Sequence, residues 1–275
     1  MSVPTVTLAD GVAIPQLGFG VFQVPPEDTR AVVEEAIAAG YRHIDTAAAY
    51  RNEEGVGAAI AASGIPREEF FVTTKLWNSQ QGHDSTLEAI TKSLGRLGMD
   101  YVDLYLIHWP VPTRDLYVET WKAFEQIREE GRSRSIGVSN FRVADLERLL
   151  AETDSTPTVN QIELHPAFHQ TELRAWQAEH RMVTEAWAPL GQGELLDEEP
   201  IVAVAQRHGK TAAQAIIRWH LQLGNVVFPK SVTAERIREN IDVFDFELDD
   251  EDMAAFEEVD TGGRTGPDPA TFVSP

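Results

Sequence analysis

Eight short apolar runs, each followed by a stretch of helical periodicity, recur along the 275 residues of this chain. They fall at residues 16–20, 43–46, 70–75, 102–108, 135–139, 158–163, 182–188 and 226–229. Between them lie segments such as 28–39, with Val32, Val33, Ala36 and Ile37 on one face, and 85–97, with Leu87, Ile90, Leu94 and Leu97. Asp28 and Asp84 or Ser85 stand where a helix N-cap belongs, and Gly40 and Gly98 follow the last turn. Strands separated by helices predict a parallel sheet, because a parallel pair needs a crossover and the helix supplies it. Eight such units in a chain near the usual barrel length, about 250 residues, predict an α/β fold of the closed (β/α)8 TIM barrel type. An open doubly wound sheet is the rival arrangement. Residues 5–8 and 12–14, around Asp10 and Gly11, read as an N-terminal β-hairpin plugging the bottom of the barrel. The expected organisation is one barrel domain over residues 1–275, with 260–275 as a tail near the pocket.

Charge narrows the function. The chain carries 44 acidic against 23 basic side chains, a formal charge of −21. So acidic a surface repels nucleic-acid phosphates and anionic lipid, which argues for a small-molecule partner. No cysteine is present, so disulfides, thiolate metal sites and a cysteine nucleophile are excluded. The first eleven residues have neither a basic region nor an apolar run, and the expected location is the cytoplasm. His83, His165, His169, His180, His208 and His220 show no metal-ligand grouping, so no metal is expected. The dinucleotide fingerprint G-x-G-x-x-G is also missing. Gly18-Phe19-Gly20 lacks the third glycine, and Gly55-Val56-Gly57 opens a helix with no strand before it. Any bound nucleotide is therefore not held on a Rossmann turn.

Barrels of this kind keep their chemistry at the carboxyl ends of the strands. The second run ends at Asp45, with Tyr50 five residues on; the third ends at Lys75 and the fourth at His108. Lysine is rarely buried unless paired, and Asp45 is its natural partner. A tyrosine hydroxyl, with an ordinary pKa of about 10, is a poor proton donor at neutral pH unless its phenolate is stabilised. A neighbouring ammonium does that, and a carboxylate behind the ammonium keeps it charged. A neutral imidazole can direct a substrate carbonyl by hydrogen bonding. Together the four side chains read as a proton relay to an oxygen becoming an alkoxide, which suits carbonyl reduction if a hydride source lies beside it. Each also has a plainer reading: a structural ion pair for Asp45 and Lys75, a rim aromatic for Tyr50, a satisfied core histidine for His108.

Seven ordered motifs then become specific: GYRHIDTAAAYRNEEGVG (40–57), TTKLWN (73–78), DLYLIHWP (103–110), GVSNF (137–141), VNQIELHP (159–166), APLGQG (188–193) and FPKSV…RIREN (228–240). The chain resembles the aldo-keto reductases over roughly residues 3–260, and most of all the compact bacterial branch that includes 2,5-diketo-D-gluconic acid reductases. The resemblance implies a barrel that binds NADPH/NADP+ in an extended pose. It implies a catalytic tetrad of Asp45, Tyr50, Lys75 and His108. In it Tyr50 is the general acid, Lys75 lowers its pKa, Asp45 holds Lys75 and His108 orients the carbonyl. It also implies that Ser139, Asn140 and Gln161 hold the nicotinamide carboxamide while Trp187, where many relatives carry tyrosine, stacks on the ring. Gly20, Val21, Phe22, Asp45 and Leu190 lie along the implied cofactor path, and Gly191, Gln192 and Gly193 allow backbone to approach the pyrophosphate.

By the same resemblance Lys230, Ser231, Val232, Thr233 and Arg236 clasp the adenosine 2′-phosphate, and Glu239 and Asn240 meet the adenine. With Arg238, these cations stand out against the acidic remainder. The implied substrate pocket is lined by Phe22, Tyr50, Trp77, Asn78, His108, Trp109 and Trp187, while Trp121, Trp176 and Trp219 read as core packing. Loops at 111–115 and 141–142 and the tail 261–275 depart from longer relatives in regions that set substrate choice. The expected activity is NADPH-dependent reduction of aldehydes, ketones, dicarbonyls or keto-sugar acids by a monomer. The alternative is an NADPH-binding sensor or regulatory barrel without physiological turnover.

Overall fold

A computed structural model describes residues 3–273. Its eight parallel strands are β3 (Phe19–Gly20), β4 (His43–Asp45), β5 (Phe71–Leu76), β6 (Val102–Ile107), β7 (Ser133–Ser139), β8 (Val159–Glu163), β9 (Val183–Trp187) and β10 (Val226–Val227). They pair in sequential order. The two ends of the sheet meet, because Leu17 bridges Val227 in parallel, the Gly18 N–H donates to the Val227 carbonyl at 2.8 Å, and the Val227 N–H donates to Gln16 O at 2.9 Å. Closure removes both sheet edges and decides for the barrel over the open sheet.

Among the described residues ten α-helices supply the crossovers and the outer ring. They are α1 (Pro26–Ala39), α2 (Glu53–Ala62), α3 (His83–Leu97), α4 (Tyr117–Glu129), α5 (Val143–Glu152), α6 (Thr171–Glu179), α7 (Glu199–Arg207), α8 (Ala212–Gln222), α9 (Ala234–Ile241) and α10 (Asp250–Glu257). The expected N-caps shift. The residue capping α1 is Pro25, with Pro26 preset for the first turn, so Asp28 sits inside that turn and acts on the helix dipole instead. Helix α3 begins after Gly82, whose φ of 113° only glycine adopts freely; the Ser85 hydroxyl donates back to the Gln81 carbonyl at 3.0 Å. Gly40 and Gly98 do end α1 and α3 in the left-handed conformation.

The hairpin of β1 (Thr5–Thr7) and β2 (Ala13–Pro15) is antiparallel, with Val6 opposite Ile14. Leu8 and Ile14 from it are buried against Phe71, Leu104, Leu106, Val159 and Val226, inward-facing residues of four strands. The plug is therefore a hydrophobic stopper for the barrel interior. A larger apolar cluster fills the layer between strands and helices and includes Val33, Ile44, Val72, Ile90, Ile107, Phe124 and Ile216.

One glycine in that layer is fixed by contact. Gly57 of α2 rests on the end of α3, and a Cβ there would lie 2.0 Å from the Leu97 carbonyl oxygen. Backbone cannot yield as a flexible side chain can, so Gly57→Ala forces the two helices apart. Denaturant unfolding is expected to show a loss of about 2–3 kcal/mol with little change in the slope; an unchanged midpoint would contradict the packing.

Candidate active site

The carboxyl ends of β4, β5 and β6 and the 3-10 turn at Ala48–Tyr50 bring Asp45, Tyr50, Lys75 and His108 together. Lys75 is fully buried; its Nζ donates to Asp45 Oδ1 at 2.6 Å and to the Thr46 carbonyl at 2.9 Å, and lies 3.5 Å from Tyr50 Oη. Burial alone would lower Lys75, but Asp45 above all, with Tyr50, overturns that and holds its ammonium charged above the ordinary lysine range. Burial pushes Asp45 up, with Lys75 and Gln161 pulling back. Tyr50 differs from expectation. Burial raises its hydroxyl above the ordinary value, and Lys75 acts downward as expected but only in part. Burial and the Lys75 charge keep His108 well below the usual imidazole range, so it is neutral. Its ring meets Tyr50 and Trp77 edge-on, at 5.7 and 5.2 Å between centroids.

These groups open into a cavity of about 1570 Å³ that runs over the top of the barrel. On its floor the Ser139 hydroxyl donates to the Gln161 carbonyl at 2.9 Å, and Asn140, at φ 64°, donates to the His108 carbonyl and to Ser139 Oγ at 3.0 Å each. Gln161 Nε2 donates to Asp45 Oδ2 at 3.0 Å and to Glu185 Oε2 at 2.8 Å. Trp187 donates its indole N–H to Asn140 Oδ1 at 2.8 Å.

Along one arm of the cavity lie Gly20, Leu190, Gln192 and Gly193, then Lys230, Ser231, Val232, Thr233, Arg236, Glu239 and Asn240. Lys230 and Arg236 are exposed and have no ion pair among the described residues. Arg238 is different: it faces outward and pairs with Glu35 of α1 at 2.9 Å, so it does not belong to the cluster. On the other arm Phe22, Trp77, Trp109 and Trp187 form an aromatic rim, with Phe22 left 56% exposed. Four expected residues do not line the cavity. Val21 is buried with its N–H on the Asp45 carbonyl, Gly191 and Asn78 are buried, and Lys75 acts from behind Tyr50.

The sequence reading missed the residue that seats the tail. Glu163, at the end of β8, has a fully buried side chain. Its Oε1 accepts from the Thr265 N–H at 2.5 Å, the Thr265 hydroxyl at 2.7 Å and the Gly266 N–H at 3.1 Å, and contacts His165 Nε2 at 3.2 Å. Burial works against the charged form, yet these hydrogen bonds bring Glu163 below the ordinary glutamate range. The tail so held passes Trp187 at Gly266, where a Cβ would lie 2.3 Å from the indole, and sets Phe272 on Trp109 with centroids 4.3 Å apart. Glu163→Ala strands these donors. We expect faster proteolysis within residues 264–273 and a KM for carbonyl substrate raised about tenfold, since charge-assisted bonds of this kind are worth roughly 1.5–3 kcal/mol each. A tail cut no faster than in the parent would refute the contact's importance.

The fold and the site can now be set beside known proteins. Residues 16–261 match the aldo/keto reductase family. The chain is 59% identical over 272 residues to an aldo-keto reductase of Mycobacterium sp. (strain KMS), covering 99% of each chain. It is 51% identical over 275 residues to methylglyoxal reductase DkgA of Escherichia coli (strain K12), again covering 99% of each. Among solved structures, a variant of Gox0644 in complex with NADPH aligns with a TM-score of 0.96 at 48% identity over the full length of both chains. With the closed barrel, the strand-end side chains and these matches in agreement, the chain belongs to the aldo/keto reductase family.

Proposed function

We propose that this chain reduces small carbonyl compounds to alcohols with NADPH, through Tyr50 as proton donor. The observation that carries the reading is the buried Lys75 ammonium, fixed by Asp45 at 2.6 Å and set 3.5 Å from the Tyr50 hydroxyl at the mouth of the cavity. NADPH, when bound, supplies the hydride that ends on the carbonyl carbon. This chain's own residues handle the proton and the geometry. The neutral His108 imidazole directs the carbonyl oxygen toward Tyr50. As charge gathers on that oxygen, Tyr50 Oη gives up its proton, and Lys75 stabilises the phenolate left behind. Asp45 keeps Lys75 charged and in place. The aromatic rim excludes water, which strengthens each of these interactions.

The residues present suit a phosphorylated dinucleotide. Lys230 and Arg236 offer two cations uncommitted among the described residues, a compact ammonium and a planar fork, in a chain of charge −21. Gly193, at φ 94° with open space where a Cβ would stand, leaves room for close approach of a ligand to the backbone. Ser139, Asn140 and Gln161 would take the carboxamide, Trp187 the ring face, and Glu239 and Asn240 the adenine.

For the substrate, we read a small dicarbonyl or keto-sugar acid, supported by relatives named methylglyoxal reductase. The test is decay of NADPH absorbance with methylglyoxal, a keto-sugar acid and an aromatic aldehyde, compared by kcat/KM. Turnover with a preference for the dicarbonyl is expected. NADPH binding without turnover of any of the three would sink the reductase reading and leave a cofactor-binding barrel. We also read residues 1–275 as one barrel unit acting as a cytoplasmic monomer away from nucleic acid, a reading supported by the acidic charge and testable by light scattering. No helix among the described residues is long and apolar enough to cross a membrane.

A further inference from the structure

One buried acid near the relay has no part in the mechanism above. Glu185, in the middle of β9, is fully buried and stands in register with Gln161 of β8 and Val226 of β10. Its Oε2 accepts from Gln161 Nε2 at 2.8 Å, and the same nitrogen donates to Asp45 Oδ2 at 3.0 Å. Asp45 Oδ1 in turn holds Lys75 Nζ, which lies 3.5 Å from Tyr50 Oη. The line runs Tyr50, Lys75, Asp45, Gln161, Glu185, with two carboxyl groups sharing one amide NH2.

The charges in this line do not balance if both acids are ionised. Lys75 neutralises one carboxylate, and the pair it makes is with Asp45. Glu185 Oε1 makes no hydrogen bond among the described residues, so a charge on Glu185 would leave a bare anionic oxygen inside the barrel, which desolvation strongly disfavours. The titratable groups acting on Glu185 are Asp45 from β4 and Lys75 from β5; its sheet neighbours are the neutral Gln161 and Val226. Burial and the Asp45 charge push Glu185 up to about 8, with Gln161 and Lys75 pulling the other way. Since both carboxyl groups need a donor from Gln161, its amide is fixed with Nε2 toward them, leaving Oε1 for another partner.

We propose that Glu185 is a positioning residue of the reduction: protonated, it fixes the Gln161 amide, and when its proton leaves to solvent the new negative charge behind Lys75 makes Tyr50 a weaker proton donor. The proposal rests on Tyr50 as the acid. A carboxylate added to the cluster disfavours the phenolate, so Tyr50 keeps its proton to higher pH above the Glu185 transition. Taking that charge away must move the alkaline limb of reduction downward.

Glu185→Gln keeps the shape and an acceptor oxygen but cannot ionise. Two measurements follow. In the first, Tm of the cofactor-free variant and its parent is compared from pH 5 to 9. The folded parent retains a proton that its unfolded chain surrenders above the ordinary carboxylate range, so its stability falls as pH rises through that window. The variant lacks this loss. The Tm difference, variant minus parent, is therefore expected to grow between pH 5 and 8 and level off beyond; a flat difference overturns the proposal. In the second, the alkaline limb of kcat/KM for NADPH-dependent reduction is expected about half a pH unit or more lower in the variant; an unmoved limb overturns the link to Tyr50.

Should the variant fail to fold, carbon-13 NMR of parent protein labelled at glutamate carboxyls reads the same group. One carboxyl titrating with a midpoint of about 8 is expected, and every glutamate ionised by pH 6 overturns the proposal. The stability and NMR measurements use neither NADPH nor substrate. A parent without turnover therefore removes the reductase reading, while a flat Tm difference removes only the role of Glu185.

Discussion

Tyr50→Phe is expected to lower kcat for carbonyl reduction by about 10²–10⁴-fold, the range a positioned general acid supplies. The substitution removes a single hydroxyl whose one partner among the described residues is Lys75, at a long 3.5 Å. The ring remains, with its contacts to Phe22 at 5.0 Å and His108 at 5.7 Å between centroids. Tm and the Kd for NADPH, read from quenching of tryptophan emission, should therefore stay near those of the parent. That separation makes the result informative, because a general loss of structure would move all three quantities. Activity within tenfold of the parent would show that the proton comes from elsewhere. His108 also faces the cavity, but its neutral imidazole is too weak an acid to replace a phenol held beside an ammonium.

Lys75→Met carries the second large effect, and it falls on stability as well as rate. Lys75 is 0% exposed, and its removal leaves Asp45 as an unpaired acid inside the barrel, with Gln161 as its remaining side-chain partner among the described residues. Breaking one side of a buried pair costs about 3–5 kcal/mol. The sign of the pH dependence follows. Without the ammonium, burial acts on Asp45 unopposed by charge, so the folded state holds its carboxyl proton to a higher pH than the unfolded chain does. The stability of the variant should then fall as pH rises through and above the ordinary aspartate range, near 4. Denaturant titrations at pH 5 and pH 8 check this, and equal losses at both would contradict it. Adding Asp45→Asn to Lys75→Met should recover much of the stability, since no bare charge remains. It should not recover turnover, because the ammonium that steadies the Tyr50 phenolate is still missing.

That Asp45, Tyr50, Lys75 and His108 come together was legible in the chain because barrel geometry is periodic. Asp45, Lys75 and His108 follow three consecutive apolar runs at intervals of one β/α unit, and every strand end of a parallel barrel faces the same mouth. The place of Lys230 and Arg236 on the cavity was legible for another reason, as basic residues in an acidic chain. Glu163 and Glu185 were not. Glu163 acts on Thr265 and Gly266, about a hundred positions away, and no local pattern records so distant a partner. Glu185 sits in the run Thr184-Glu185-Ala186, where an acidic residue within an apolar strand reads as facing outward until register brings it to Gln161. The helix starts moved for a local reason: Pro25 and Pro26 preset the first turn of α1, and the left-handed Gly82 begins α3 without a side-chain cap.

The sequence by itself determined the alternation of strand and helix, the placement of polar side chains at the strand ends and the family, since each rests on short-range periodicity or on motifs read in order. Tertiary structure decided three matters. It decided that the sheet closes, through Leu17 on Val227; that Arg238 turns away to Glu35; and that burial, more than Lys75, governs the Tyr50 hydroxyl. All three depend on how far a group lies from water and from partners distant in the chain, and those distances exist only once the barrel has formed.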